Sequence, residues 1–135
     1  MIDREEARWI AGLVEQALDG LPQKPGLTLE VIDQPMYWLQ IVPEIDEETG
    51  RLGAFLLNFP YRDHADSPLL VLSGADIMPP TGTTVDRWED HGFARIRLRP
   101  DVPLIPLALF MGEVLEKIVG APADGELKVF IEYGF

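Results

Sequence analysis

The amino-acid sequence predicts one two-layer α+β domain over residues 1–135. In it, an antiparallel meander sheet of five to six strands is covered by an N-terminal helix and a second helix near the C-terminus. Three observations predict this fold class. The length of 135 residues suits a single domain. Apolar residues recur at helical spacing near the two ends of the chain, whereas the segments between them alternate or are rich in β-forming residues. Short turns connect most of those segments, which favours antiparallel pairing.

The first helix is predicted to begin after Asp3, because Asp3 and Glu6 have the spacing of a capping box. Gly20 and Pro22 are predicted to end it. Trp9 lies off the main apolar stripe, and either widens the buried face or marks a contact surface. The apolar positions of the stripe are Ile10, Leu13, Val14, Ala17 and Leu18.

The remaining elements are predicted from alternation, apolar runs and turn residues. Trp38 is expected in the core, and residues 74–92 are expected to form a long irregular segment, which in a compact domain is usually functional or mobile. A second helix over 107–119 follows a proline-rich turn. The predicted strands are 27–32, 36–42, 52–59, 69–73, 93–99 and 127–133.

The composition excludes several functional classes. The net charge is −12, from 23 acidic against 11 basic residues, and this argues against binding of nucleic acid or an anionic membrane, because phosphate contacts need a basic surface. The charge fits simple solubility, steering of a basic protein partner, or mimicry of nucleic acid. No apolar run approaches the ~20 residues of a membrane span. The acidic start of the chain lacks the pattern of a signal peptide, so the cytoplasm is the expected compartment.

The sequence offers little catalytic chemistry. Zero cysteines exclude disulfides and thiolate metal sites, and no phosphate-binding glycine loop or metalloprotease motif is present. No cofactor and no metal is expected. The best candidate for an enzyme site is a carboxylate–histidine group of His64, Asp66 and His91, and solvated loop histidines are the alternative.

Arg95, Arg97 and Arg99 fall on one face of the strand predicted over 93–99, because residues two apart on a strand share a face. Three guanidinium groups on one strand repel one another unless they are paired. One interpretation is cross-strand pairing with acids on a solvated sheet face. The other is an anion- or carboxylate-binding strip, since arginine binds such groups with two parallel hydrogen bonds.

Short motifs between residues 36 and 118 resemble the ubiquitin-conjugating enzyme fold and its catalytically inactive, UEV- or RWD-like relatives. The aromatic strand segment 37–40, the Phe-Pro-Tyr segment 59–61 and the Ser-Pro-Leu segment 67–69 are similar to the second strand and the loop before the fourth strand of that family. Pro103 and the following helix resemble its proline-led helix. The family's His-Pro-Asn motif is missing. Its catalytic cysteine would fall near residues 92–95, where this chain has no thiol.

That resemblance implies a non-catalytic protein–protein interaction domain, since no thioester can form without a thiol. In this hypothesis residues 74–92 cross the sheet end, and Tyr61, His64, Pro79 and Trp88 cluster on one side as partner contacts. Tyr61 and Trp88 are expected in polar loops, where Trp88 either is exposed as an interface residue or folds back to cover the edge of the core. The alternative is an acidic chaperone-like or immunity-type binding protein. It acts as a homodimer through a sheet edge or through Trp9, and resembles secretion-chaperone-like peptide binders in composition and element order.

Overall fold

The computed structural model describes residues 1–90 and 92–134 and confirms the α+β fold class. A 3₁₀ turn, Leu21–Gln23, follows the first helix, and a π-helical turn, Val114–Ile118, continues the last one. The main elements are α1 (Arg4–Asp19), β1 (Pro25–Val31), β2 (Gln34–Ile45), β3 (Leu52–Tyr61), α2 (Pro68–Gly74), β4 (Thr84–Trp88), β5 (Gly92–Leu98), α3 (Leu104–Glu113) and β6 (Leu127–Tyr133).

The six strands form one sheet in the order β4-β5-β3-β2-β1-β6, and every neighbouring pair is antiparallel. The predicted antiparallel sheet is therefore confirmed. The simple meander holds only for β1, β2 and β3. After β3 the chain runs to the far edge to form β4, and β5 then inserts between β4 and β3. The last strand returns to lie beside β1, so β4 and β6 are the two edges of the sheet.

One face of the sheet is buried beneath α1 and α3. Asp3 accepts a hydrogen bond from the Glu6 backbone N–H at 2.8 Å, and Gly20 follows the last residue of α1, so both predicted ends of this helix are confirmed. On β5, Ala94, Ile96 and Leu98 point into the core, as the alternation predicts. The apolar stripe of α3 and its π-helical turn meets them there: Leu107, Phe110, Met111, Val114, Leu115 and Ile118.

Two predictions for the middle of the chain are wrong. Residues 69–73, predicted as a strand, lie in α2, where Pro68 occupies the first turn and Leu72 is buried. A run of so few apolar residues does not distinguish a strand from a helix, whereas proline at the first helical position favours a helix. The segment 74–92, predicted to be irregular, contains β4. Its polar Asp86 and Arg87 interrupt the apolar pattern that would have revealed a strand.

The prediction that Trp38 belongs to the core is also wrong. Its neighbours on β2, Leu39 and Ile41, face the helices and are fully buried. Trp38 therefore lies on the opposite face of the sheet, half-buried, beside Glu30 of β1. That outer face carries no helix among the described residues, so it is the part of the sheet open to solvent.

Candidate interaction surfaces

Tyr61 is the centre of an aromatic cluster at the β4 side of the sheet. Its ring lies 4.9 Å from that of His64 and 6.0 Å from that of Trp88, in an edge-to-face arrangement with the indole. The phenol donates a hydrogen bond to the backbone carbonyl of Asp66 at 2.5 Å. Three of the four predicted partner contacts therefore come together. The prediction that both aromatics lie in loops is wrong, because Tyr61 ends β3, where it is fully buried, and Trp88 lies in β4. Trp88 is half-buried against the core, as the second of its two interpretations expects.

Burial of the Tyr61 phenol and, to a smaller extent, the negative charges of Asp66 and Asp90 together raise the pKa of Tyr61 from 10.0 to about 12. Each effect disfavours the phenolate. Tyr61 is thus held as a neutral hydrogen-bond donor at physiological pH, which fits a structural role in closing the loop after β3.

His64, in the loop after β3, connects this loop to the π-helical turn that follows α3. Its Nε2 lies 2.9 Å from the backbone carbonyl oxygen of Ile118, in the π-helical turn after α3. A carbonyl oxygen only accepts, so Nε2 carries the proton in this contact. His91, the other histidine of the proposed carboxylate–histidine site, lies outside the described residues. Within the described residues, no three His, Asp or Glu side chains are grouped as metal ligands would be.

The arginines of β5 are engaged by acids on both neighbouring sides. Arg97 makes two hydrogen bonds to the Glu44 carboxylate, at 2.6 and 3.3 Å, and reaches Asp86 of β4 at 3.4 Å. The Glu44 carboxylate raises the pKa of Arg97, because it stabilises the charged guanidinium. Arg95 donates to Asn58 at 2.7 Å and lies 4.0 Å from Asp86. This is the cross-strand pairing that the sequence offers as one interpretation.

A row of polar side chains extends this network across the outer face of the sheet. Asn58 donates to Gln40 at 3.4 Å, and Gln40 donates to Thr28 at 3.3 Å. Thr28 and Asn58 are buried although no described helix covers them, because the strand register places larger side chains on either side. The row borders a hollow of about 500 Å³ that Val42 and Leu56 also line. The sequence signal that could have indicated this polar row is the presence of Thr28, Gln40 and Asn58 within otherwise apolar strands.

Arg99 does not share this face. It follows the last residue of β5, donates to Asp101 at 3.0 Å, and belongs to a second hollow between α3 and the segment before β4. The one-face strip of three arginines is therefore reduced to Arg95 and Arg97. Pro79 is half-buried in the connection from α2 to β4, and its neighbours Met78 and Pro80 line the same hollow as Arg99.

The second hollow has a volume of about 420 Å³ and mostly apolar walls. Met78 stands at its rim with 88% of its surface exposed, the largest exposure among the big apolar side chains of the described residues. The Met78-Pro79-Pro80 sequence was the signal for this surface, but its position against α3 depends on the fold. The hollow is lined by Met78, Pro80, Thr81, Arg99, Asp101, Val102, Pro103, Pro106, Leu109, Phe110 and Glu113.

No protein-family model, curated protein or solved structure matches this chain. The resemblance to ubiquitin-conjugating enzymes therefore stays a prediction. None of the helices described is both long and apolar enough to cross a bilayer.

Proposed function

We propose that this protein is a non-catalytic protein-interaction domain that binds its partner in the hollow beside Met78, here called the Met78 hollow. The observation that carries the proposal is a nearly fully exposed methionine at the edge of an apolar cavity. Exposed apolar surface next to a concavity is typical of contact sites. Methionine is common at such surfaces because its flexible thioether adapts to different partners.

The walls of the Met78 hollow support binding of an apolar side chain. Pro80, Pro103 and Pro106 have fixed φ angles and stand around a floor that includes Val102 and Phe110. A cavity built on rigid residues needs little ordering when it is filled, so less binding energy is lost to entropy. Its volume of about 420 Å³ is large enough for one or two apolar side chains of a partner segment.

The overall charge of the protein favours a partner with basic residues. At the hollow itself the two lining acids are paired, Asp101 with Arg99 at 3.0 Å and Glu113 with Lys117 at 3.6 Å. The preference therefore comes from the net charge of −12, which acts over longer distances. The proposed partner is therefore a protein segment that presents an apolar side chain beside lysine or arginine.

The non-catalytic part of the proposal is supported by the chemistry of the chain. It has zero cysteines, so the thioester transfer of the ubiquitin-conjugating family is closed to it, and the proposed likeness is to the inactive relatives. The imidazole of His64 is held by a backbone carbonyl, and the phenol of Tyr61 is held neutral by burial. Both groups are used for structure. We place the protein in the cytoplasm as part of the same proposal.

The acidic, chaperone-like homodimer is the second candidate function. The observation that favours it is the outer edge of β6, which pairs with no strand of the described residues and where Tyr133 is 55% exposed. Trp9, the other predicted dimer contact, is 51% exposed on α1. In this alternative the homodimer is the functional unit, and the Met78 hollow of each copy remains available to a client.

Selection from a peptide display library tests the Met78 hollow. We expect peptides with an apolar residue next to lysine or arginine to be enriched on the wild-type protein, and their affinity to fall about 10-fold or more for Met78→Glu. Met36→Glu is the matched control, because Met36 is also exposed but lies at the start of β2. The proposal fails if nothing is enriched, or if the enriched peptides bind Met78→Glu as well as they bind Met36→Glu.

A further inference from the structure

We propose that two copies of this chain pair through β6, antiparallel and in register about a two-fold axis at Phe130, so that the two sheets join into one. This inference does not depend on the Met78 hollow. It concerns the edge of the sheet formed by Leu127–Tyr133, which has β1 on one side and no described strand on the other.

The backbone of β6 presents a regular set of free groups along this outer edge. At its two ends, the Ile32 N–H bonds to the Glu126 carbonyl at 2.8 Å and the Gly134 N–H bonds to the Lys24 carbonyl at 2.9 Å. Residues 126 and 134 therefore face β1, and by alternation so do the even-numbered residues between them. The N–H and C=O groups that point to the outer edge belong to Leu127, Val129, Ile131 and Tyr133.

This alternation restricts how a second copy can pair with the edge. Both members of a hydrogen-bonded pair must direct their backbone groups outward, so odd-numbered residues pair only with odd-numbered residues of the partner. A two-fold axis at Phe130 meets this condition and uses all seven residues. It pairs Leu127 with Tyr133 and Val129 with Ile131, which gives about eight hydrogen bonds between the chains. An axis at Val129 or Ile131 shortens the pairing.

The side chains of β6 are complementary in the same register. With the axis at Phe130, Lys128 lies directly opposite the partner's Glu132, and this opposition occurs twice. These are non-hydrogen-bonded pairs, in which side chains approach most closely, so each forms a favourable cross-strand ion pair. An axis at Val129 places Lys128 opposite the partner's Phe130 instead.

The pairing also buries more of the apolar side chains of β6. Val129 and Ile131 face the helix side of the sheet but are only half-buried, and Tyr133 is exposed. The two-fold pairing places Val129 beside the partner's Ile131 and Leu127 beside the partner's Tyr133. Edge strands of monomers are usually blunted by irregularity or like charge. The register of β6 with β1 is instead uninterrupted over seven pairs, and its two charges are of opposite sign.

The experiment compares Lys128→Glu, Glu132→Lys and their mixture by light scattering at about 100 µM, a concentration chosen to detect micromolar dimers. The wild-type protein is expected at twice the 15.1 kDa mass of one chain. Each variant alone is expected to dimerise at least 10-fold more weakly, because like charges then face each other twice. An equimolar mixture is expected to restore a dimer, because every opposed pair is again of opposite sign.

Circular dichroism confirms that each variant is folded, and Val129→Pro provides a second test, since the backbone N–H that it removes points to the outer edge and not to β1. Val129→Pro is expected to be monomeric. A monomeric wild type overturns the inference, and so do single variants that remain dimeric or a mixture that fails to pair. None of these results bears on the peptide binding of the Met78 hollow, so the two proposals can fail separately.

Discussion

The two edges of the sheet are built in opposite ways. β4 is five residues long, and its register with β5 shifts between Val85 and Arg87. Two of its side chains make contacts within the chain. Trp88 packs on Tyr61, and the Arg87 guanidinium lies 5.1 Å from the centre of the Phe93 ring. β6 is seven residues long and regular, and its aromatic Tyr133 is mostly exposed.

The difference shows that an edge strand can be protected from pairing with another chain by the contacts that its own side chains make within the molecule. At β4, the aromatic cluster and the arginine–carboxylate network stabilise the fold and leave a short, irregular strand that is a poor template for another chain. At β6, few contacts within the chain involve the outer edge of the strand. A partner strand could therefore pair there without disturbing the monomer. We therefore expect substitutions at β4 to change the stability of the monomer, and substitutions at β6 to change association.

The largest expected effect separates the two edge aromatics. Trp88→Ala should lower the free energy of unfolding by about 3 kcal/mol, because it removes a half-buried indole from Tyr61 and the core. Tyr133→Ala should lower it by less than about 1 kcal/mol, since most of that ring is already in water. Urea unfolding at a protein concentration low enough to give monomers measures both. Equal losses would show that the two edges do not differ in this way.

The next effect is a pH dependence specific to the β4 side. Because the pKa of Tyr61 is raised from 10.0 to about 12, the unfolded chain loses this proton before the folded chain does. The contribution of this pKa shift to the free energy of unfolding is complete below pH 10. About 2 kcal/mol of that contribution is lost as the pH rises to about 12. Alkaline unfolding curves of the wild type and of Tyr61→Phe measure this contribution.

Tyr61→Phe should start from a lower stability at neutral pH, because it lacks the hydrogen bond to the Asp66 carbonyl. Its further decline between pH 10 and 12 should be shallower than that of the wild type. Parallel curves would mean that Tyr61 ionises without cost, and hence that the cluster under β4 is open to water.

Local patterns were sufficient to predict most of the elements but not the order of the strands. The helical spacing of α1 and the alternation of β5 and β6 specify those elements directly. In contrast, α2 offers only a few apolar residues, and Pro60 suggested a strand end although β3 continues through Tyr61. Pro60 could remain in the strand because its missing N–H is tolerated near the strand end, beyond Asn58, where the register of β3 with β2 stops.

The candidate surfaces were less predictable because they depend on register. The alternation of β5 indicates that Arg95 and Arg97 share a face, but their partners Glu44 and Asp86 lie on two other strands. Similarly, the charge pattern of β6 is visible in the sequence. The pairing that this charge pattern favours can be inferred only once β6 is known to be an edge strand and the backbone groups that point outward are known.

The smallest expected effect compares the ion pairs of the two edges. Asp86 lies close to both Arg95 and Arg97, whereas Lys128 forms an ion pair with one acid of the described residues, Glu30, at 3.6 Å. All of these groups are partly solvated, so Asp86→Asn should cost about 0.5–1 kcal/mol and Lys128→Gln about 0.3 kcal/mol or less. Both costs should shrink in 1 M NaCl, which is about the concentration that screens exposed charges within a few ångströms. Unfolding of monomers at low and high salt measures them. A larger loss for Lys128→Gln would place the stabilising network at the β6 edge and remove the physical basis for treating that edge as free to pair.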